Sequence, residues 1–200
     1  VKKRGLAITR KQVESYVKKK GEKQVFQAAQ PVKGKTVSES LDSRWMMDLI
    51  QFNNKPVTVG RKTWRFILVA INVFDRYLYA LPLDSKEPKE VLEALAKLIN
   101  TAPRKPNIIS SDDGLEFKGP VSAYLTRRGI AQKFKDTSDA NGLGLIDKAI
   151  QFLKTRLAEA TTVVGKTWVS ELARTVNGFN NTPKSGILHG AAPKEVRGSE

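Results

Sequence analysis

Two hundred residues, 40% of them hydrophobic, are enough for one domain of ordinary size with a real core plus an appendage. The absence of cysteine and the single histidine, His189, exclude disulfides and His/Cys zinc modules, so metal chemistry has to use carboxylates. The 35 Lys+Arg against 20 Asp+Glu, a formal charge of +15, point to a polyanionic partner and above all to nucleic acid, since phosphate contacts release counterions. The longest strictly apolar run, Phe66 to Ile71, is far short of a membrane span or a secretory signal core. Neither a membrane signal nor an export signal is therefore expected. The first residue is Val1 rather than methionine, as expected of a segment of a longer polyprotein or of a trimmed chain.

The charge is uneven: residues 1–40 hold eleven Lys/Arg against three Glu, a net +8. Thr9-Arg10-Lys11-Gln12 has the form of a capping box and opens a helix. Val13, Tyr16 and Val17 fall on one face of it, Lys18-Lys19-Lys20 load its carboxyl end, and Gly21 can end it. Val25-Phe26 suggests a further turn packed on it, and 31–40, with Pro31 and Gly34, reads as a linker. Residues 1–40 are thus expected to form a small basic helical segment and linker. Arg10, Lys11, Lys18, Lys19 and Lys20 are its candidate phosphate contacts, although a solvated basic tail has the same composition.

From Arg44 the pattern changes to strands. Trp45 to Phe52 reads as a central strand that carries a lone carboxylate, Asp48, costly in such a place unless something pairs with it; a salt-bridged or edge aspartate fits equally well by itself. Turn residues at 53–56 and 60–62 lead to a long second strand, Trp64 to Val73. Asp75-Arg76 turns the chain into a third strand, Tyr77 to Leu83. Ser85 is the expected cap of a helix with Glu87 and Pro88 in its first turn, whose buried face is Val91, Leu92, Leu95, Ala96, Leu98 and Ile99.

Because a helix crosses over, the strand begun by Ile108-Ile109 should be parallel to its neighbour. It ends in Ser111-Asp112-Asp113-Gly114, placing Asp112 at a strand tip, where oxygen ligands for Mg²⁺ are commonly held in α/β proteins. A short helix around Val121, Tyr124 and Leu125 and a fifth strand at Ala131 to Lys135 complete a βββαβαβ order. After a loop over Ser138 to Gly144, a helix carries Ile146, Ile150, Leu153 and Leu157 as its apolar stripe. Asp147 lies in its first turn, with Gln151 and Lys154 on the same side; alone, Asp147 reads more simply as a carboxylate favouring a helix N-terminus. A last helix over Thr167 to Val176 is followed by Phe179-Asn180-Asn181-Thr182-Pro183 as a loop, with His189 in a surface loop and Trp64 and Trp168 in the core. The expected class is α/β: a mixed five-stranded sheet, three antiparallel strands and then parallel ones, flanked by helices.

Several of these stretches together resemble the retroviral and retrotransposon integrase catalytic core, of the RNase H-like superfamily. They are Trp45-Met46-Met47-Asp48, Phe74-Asp75-Arg76-Tyr77, Ser111 through Phe117, Gly144 through Lys148, and Phe179 through Pro183 with Ala192-Pro193-Lys194-Glu195-Val196. The resemblance covers roughly residues 41–197 and implies a catalytic core over 41–200. It also implies a triad of two aspartates and a glutamate. Asp48 and Asp112 match the aspartates, while Asp147 stands in the place of the glutamate, as aspartate does in mariner-type transposases of the superfamily. Asp113 sits where the family often has asparagine, and Glu116, a recurrent motif residue, falls outside the triad.

Implied with the resemblance are Mg²⁺ (or Mn²⁺) on Asp48, Asp112 and Asp147, no zinc, and Lys148, Gln151 and Lys154 as contacts to DNA. Also implied are 3′-end processing and strand transfer by two-metal-ion chemistry, element-end and target DNA as partners, a homo-oligomer, and a nuclear or virus-like-particle setting if the source is eukaryotic. The competing readings are a metal-dependent nuclease of the same fold and a DNA-binding derivative with an inactive site.

Overall fold

A computed structural model describes residues 38, 40–135, 143–186 and 188–198. The helix expected from Thr9, the basic residues Arg10, Lys11, Lys18, Lys19 and Lys20, and most of the loop expected at 138–144 lie outside the described residues.

The elements in order are β1 (Arg44–Gln51), β2 (Val57–Val59), β3 (Lys62–Trp64), β4 (Phe66–Asn72), β5 (Leu78–Leu83), α1 (Pro88–Thr101), β6 (Ile108–Ser111), a 3₁₀ turn (Leu115–Phe117), α2 (Pro120–Arg127), β7 (Ala131–Phe134), α3 (Gly144–Ala160), α4 (Trp168–Asn180) and α5 (Pro193–Gly198). The main sheet has five strands in the order β5-β4-β1-β6-β7. β1 and β4 are antiparallel, as are β4 and β5. β6 lies parallel to β1, and β7 parallel to β6. This is the expected α/β class: α1 returns the chain to the far side of β1, and such a crossover makes the next strand parallel.

β1 is central, and its alternation sorts side chains between two cores. Trp45 and Met47 join the core beneath α1 and α2, with Val91, Leu95, Phe117 and Val121. Met46 and Ile50 join the one beneath α3 and α4, with Ile146, Leu153, Trp168 and Leu172. Asp48, falling between Met46 and Ile50 in this alternation, is directed to the α3 side. β4 is buried at all seven positions because helices cover both faces of the sheet there, which explains its unbroken apolar run. α3 buries Ile146, Ile150, Leu153 and Leu157, the stripe read from its spacing.

Three local expectations are corrected. The long strand expected over Trp64 to Val73 is divided at Arg65: β4 stays in the sheet, while Lys62–Trp64 pairs with Val57–Val59 as a separate hairpin. Ser85 is not the helix cap; α1 starts with Pro88 after Glu87 at the cap position, and the Ser85 hydroxyl accepts a hydrogen bond from the Glu87 N–H at 3.3 Å just upstream. Phe179 and Asn180 are the last residues of α4 rather than part of a loop. The reason is tertiary: the buried Asn180 amide accepts from the Leu78 N–H at 2.8 Å and donates to the Leu78 carbonyl at 2.9 Å, so its side chain takes the place of a strand partner for β5. At the other end of α4, Thr167 and Ser170 form a reciprocal capping box.

Where the described core begins and ends, a buried ionic cluster ties it together. Arg197 of α5 pairs with Asp42 at 3.0 Å and with Asp75 at 2.8 Å, and donates to the Tyr79 hydroxyl at 2.6 Å. Asp42 also accepts from the Trp45 indole at 3.0 Å and the Asn72 amide at 2.9 Å. Asp75 is fully buried, and burial raises its pKa above the ordinary carboxylate value despite the guanidinium beside it. This cluster sits at the end of β1 opposite to the tip of β6.

Candidate carboxylate site

The candidate site lies at the carboxyl end of β6 and the middle of β1. β1 and β6 pair with Trp45 opposite Ile109 and Met46 opposite Ser110, so the same register carried two residues further sets Asp112 beside Asp48. The turn after Asp112 is fixed from below by Phe117, fully buried in the core under α1 and α2. The Phe117 carbonyl accepts from the Gln132 amide at 2.7 Å and the Ser122 hydroxyl at 3.3 Å, which holds the short 3₁₀ turn against α2 and β7. Asp112 itself accepts from the Gly114 N–H at 3.3 Å, while Asp113 turns away to pair with Lys118 at 2.9 Å. Asp147 arrives from the first turn of α3 and is exposed.

The structure thus brings Asp48, Asp112 and Asp147 into one another's fields, together with Glu116. The half-buried Asp48 carboxyl is pushed up to about 6 from an ordinary 3.8. Burial is the main cause, and it outweighs the opposing bond from the Leu49 N–H, which reaches Asp48 at 2.7 Å. The charges of Asp112, Asp147 and Glu116 add to the rise. Such mutual repulsion is what oxygen donors show when no positive charge stands among them. The donor set, carboxylates alone, suits a hard cation such as Mg²⁺ or Mn²⁺. Among the described residues no three such side chains are already gathered closely enough to hold an ion. The fit is therefore one of donor chemistry and shared field, with a pre-formed shell lacking.

A cavity of about 400 Å³ opens beside the carboxylates and is lined by Asp48, Asp147, Gln151, Lys154 and Thr155, with Leu49 and Ile150 as its apolar wall. Two of the three expected DNA contacts, Gln151 and Lys154, therefore face the same space as Asp48 and Asp147; Lys148 is exposed but does not line it. A second, more apolar cavity of about 280 Å³, between Phe52, Val57, Leu157 and Trp168, is remote from these groups in the lining residues it uses. Trp168 is buried and Trp64 half-buried, and His189 is exposed.

Glu116 is the residue that reading the motif set aside. Gly114 is the signal that could have pointed to it. Its backbone, at φ −62° and ψ 146°, is one that any residue adopts, so its small size serves a neighbour and not the turn. A Cβ built there would stand 2.7 Å from a Glu116 carboxylate oxygen and 3.1 Å from Asp112 Oδ1.

No family model matches the chain. Its sequence relatives include a transposon-derived protein of Caenorhabditis elegans, 34% identical over 132 residues, and the Gag-Pol polyprotein of Walleye dermal sarcoma virus, 27% identical over 133 residues. Each alignment takes in 66% of this chain, but only 45% of the first relative and 7% of the second, so the chain spans less than half of the curated proteins it matches. Among solved structures, the catalytic core domain of BIV integrase superposes with a TM-score of 0.62 at 20% identity, over 79% of this chain and 95% of that one. The HTLV-2 integrase catalytic core domain, solved with magnesium in a trimeric form, gives 0.61 at 13% identity over 78% and 96%. By its fold and its sequence relatives the chain belongs with the retroviral and retrotransposon-type integrase catalytic cores.

Proposed function

We propose that this chain is a polynucleotidyl transferase of DNA integration, trimming 3′ ends and joining them to target DNA at the site formed by Asp48, Asp112 and Asp147. The observation that carries this reading is the convergence of those three carboxylates, from β1, the tip of β6 and the first turn of α3, into one field that raises Asp48 to about 6. Asp48, Asp112 and Asp147 would hold divalent cations. The chemistry such ions supply when bound is stabilisation of charge on the attacking and leaving oxygens of an in-line phosphodiester displacement. The magnesium present in the HTLV-2 core structure supports that choice of ion, and its trimeric form supports an oligomer for this chain.

The remaining residues act on the nucleic acid. Lys154 and Gln151 line the cavity that continues from Asp48 and Asp147 along α3, where an ammonium and an amide can take a backbone phosphate and a sugar or base edge. Leu49 and Ile150 close its inner side with apolar surface, limiting water around the carboxylates. Lys148 and the net +8 of residues 1–40 add phosphate contacts without sequence preference.

The test uses the full 200-residue chain, a fluorescent duplex oligonucleotide with a recessed 3′ end, supercoiled plasmid and Mn²⁺. The wild type is expected to join the labelled end to plasmid. Asp48→Asn and Asp112→Asn should each abolish joining while DNA affinity stays the same or rises. Cleavage without joining would assign the chain to the nucleases of this fold, and DNA binding with no Mn²⁺-dependent reaction would make it an inactive derivative. Full activity in either variant would contradict the assignment of the site.

A further inference from the structure

We propose that Glu116 is the fourth carboxylate of this site and, together with Asp112, faces the bound cation from the β6 side, supplying the reach that Asp147 lacks. The inference rests on the reading of the site given above and adds a residue to it. Its basis is a convergence seen at Gly114, whose Cα is flanked by two carboxylates. Glu116 Oε2 lies 2.7 Å and Asp112 Oδ1 lies 3.1 Å from where a Cβ would stand. Contacts below 3.0 Å are not tolerated by real side chains, so any residue but glycine would displace Glu116 from its place beside Asp112. The backbone of Gly114 makes no such demand for glycine, having an ordinary φ of −62°.

Three further observations point the Glu116 side chain toward the site rather than to an ordinary surface role. First, its neighbours in the turn are otherwise committed: Phe117 is fully buried, and Lys118 pairs with Asp113 at 2.9 Å. Among the described residues Glu116 has no ion pair of its own, although a lysine stands two positions away. Second, Glu116 is half-buried, whereas Leu115 before it is exposed, so the chain turns the carboxylate inward and leaves an apolar side chain in solvent. Third, its charge reaches Asp48 on the adjacent strand.

The chemical reason for a fourth carboxylate follows from the third. Asp147 is exposed and carries one methylene fewer than the glutamate implied at its position, so it projects less far from α3 towards β1. Glu116 has the longer side chain and approaches from the opposite flank. Together the four can offer the six or so oxygen positions, with water completing them, that a hard divalent cation requires.

The experiment measures Mn²⁺ binding directly, by titration calorimetry and by loss of the free-ion electron paramagnetic resonance signal, with no DNA present. The proteins are the wild type, Glu116→Gln, Gly114→Ala, Asp48→Asn and, as a neighbouring-charge control, Asp113→Asn. Circular dichroism confirms that each is folded. The proposal expects Glu116→Gln to weaken Mn²⁺ binding at least about tenfold, the lower end of the cost of losing a partner of a metal ligand. Gly114→Ala should weaken it too, because the new Cβ moves Glu116 aside without altering any charge. Asp113→Asn should bind as the wild type does. If Glu116→Gln binds Mn²⁺ like the wild type while Asp48→Asn binds more weakly, the role of Glu116 is overturned and the three-carboxylate site stands. If Asp48→Asn also binds like the wild type, both readings fall.

Discussion

Replacing Asp48 by asparagine should make this protein more stable while removing its proposed chemistry. In the native state the Asp48 carboxyl titrates near 6, against an ordinary 3.8. A difference of that size corresponds to about 3 kcal/mol at neutral pH, each pH unit being worth about 1.4 kcal/mol. Asp48 is half-buried, so water screens part of its interaction and the expected effect is about 1–3 kcal/mol.

The sign follows from proton binding. Between pH 3.8 and about 6 the native state holds the Asp48 proton more tightly than the unfolded chain does. Raising the pH through that window therefore lowers the unfolding free energy of the wild type, and Asp48→Asn lacks this component of the slope. Urea unfolding at pH 4.5, 6 and 7.5 with EDTA present measures it. The variant should match the wild type most closely at pH 4.5 and exceed it by about 1–3 kcal/mol at pH 7.5, and by a few degrees in Tm. Equal slopes, or a variant less stable than the wild type at pH 7.5, would refute the claim that repulsion and burial dominate at this strand position.

Asn180→Ala should cost about 2–4 kcal/mol in urea unfolding, because it leaves the buried N–H and carbonyl of Leu78 without partners; a loss below 1 kcal/mol would show that water replaces the amide. Arg197→Met should cost about 3–5 kcal/mol by stranding the buried Asp75 carboxylate and part of the Asp42 pair. Adding Asp75→Asn to Arg197→Met should recover part of that loss in a double-mutant cycle, and strict additivity would contradict the pairing. Thr167→Ala should lower stability by about 1 kcal/mol through the lost cap of α4, read from the unfolding midpoint.

What was legible in the sequence is what burial writes into it. β1, β4 and β6 carry apolar runs because the sheet is covered on both faces, and α1 and α3 show the period of a one-sided helix, so the βββαβαβ order and both apolar stripes could be read. The β2–β3 hairpin could not: its strands are three residues each and half-buried to exposed, so neither alternation nor a run marks them. Asn180 looked like a turn residue because its composition suits turns; its actual role depends on Leu78, 102 positions away. The Arg197 cluster is similarly invisible, since Asp42 and Arg197 are 155 positions apart.

At the site, alternation along β1 was enough to single out Asp48, and the strand-end position to single out Asp112. Asp147 looked like an ordinary helix N-terminal carboxylate until the resemblance and then the fold set it across from β1. Glu116 was passed over because spacing along a turn does not say which way a side chain folds. Only the contact space at Gly114 shows that.

The central claim is that Asp48, Asp112 and Asp147 serve one cation-binding site. Anomalous diffraction at the manganese edge, from crystals of the wild-type chain soaked in Mn²⁺, measures it most directly. The account predicts anomalous density within coordination distance of Asp48 and of at least one carboxylate from each flank, and its loss in Asp48→Asn crystals. Manganese found only at other carboxylates, with Asp48 free of it, would contradict the account.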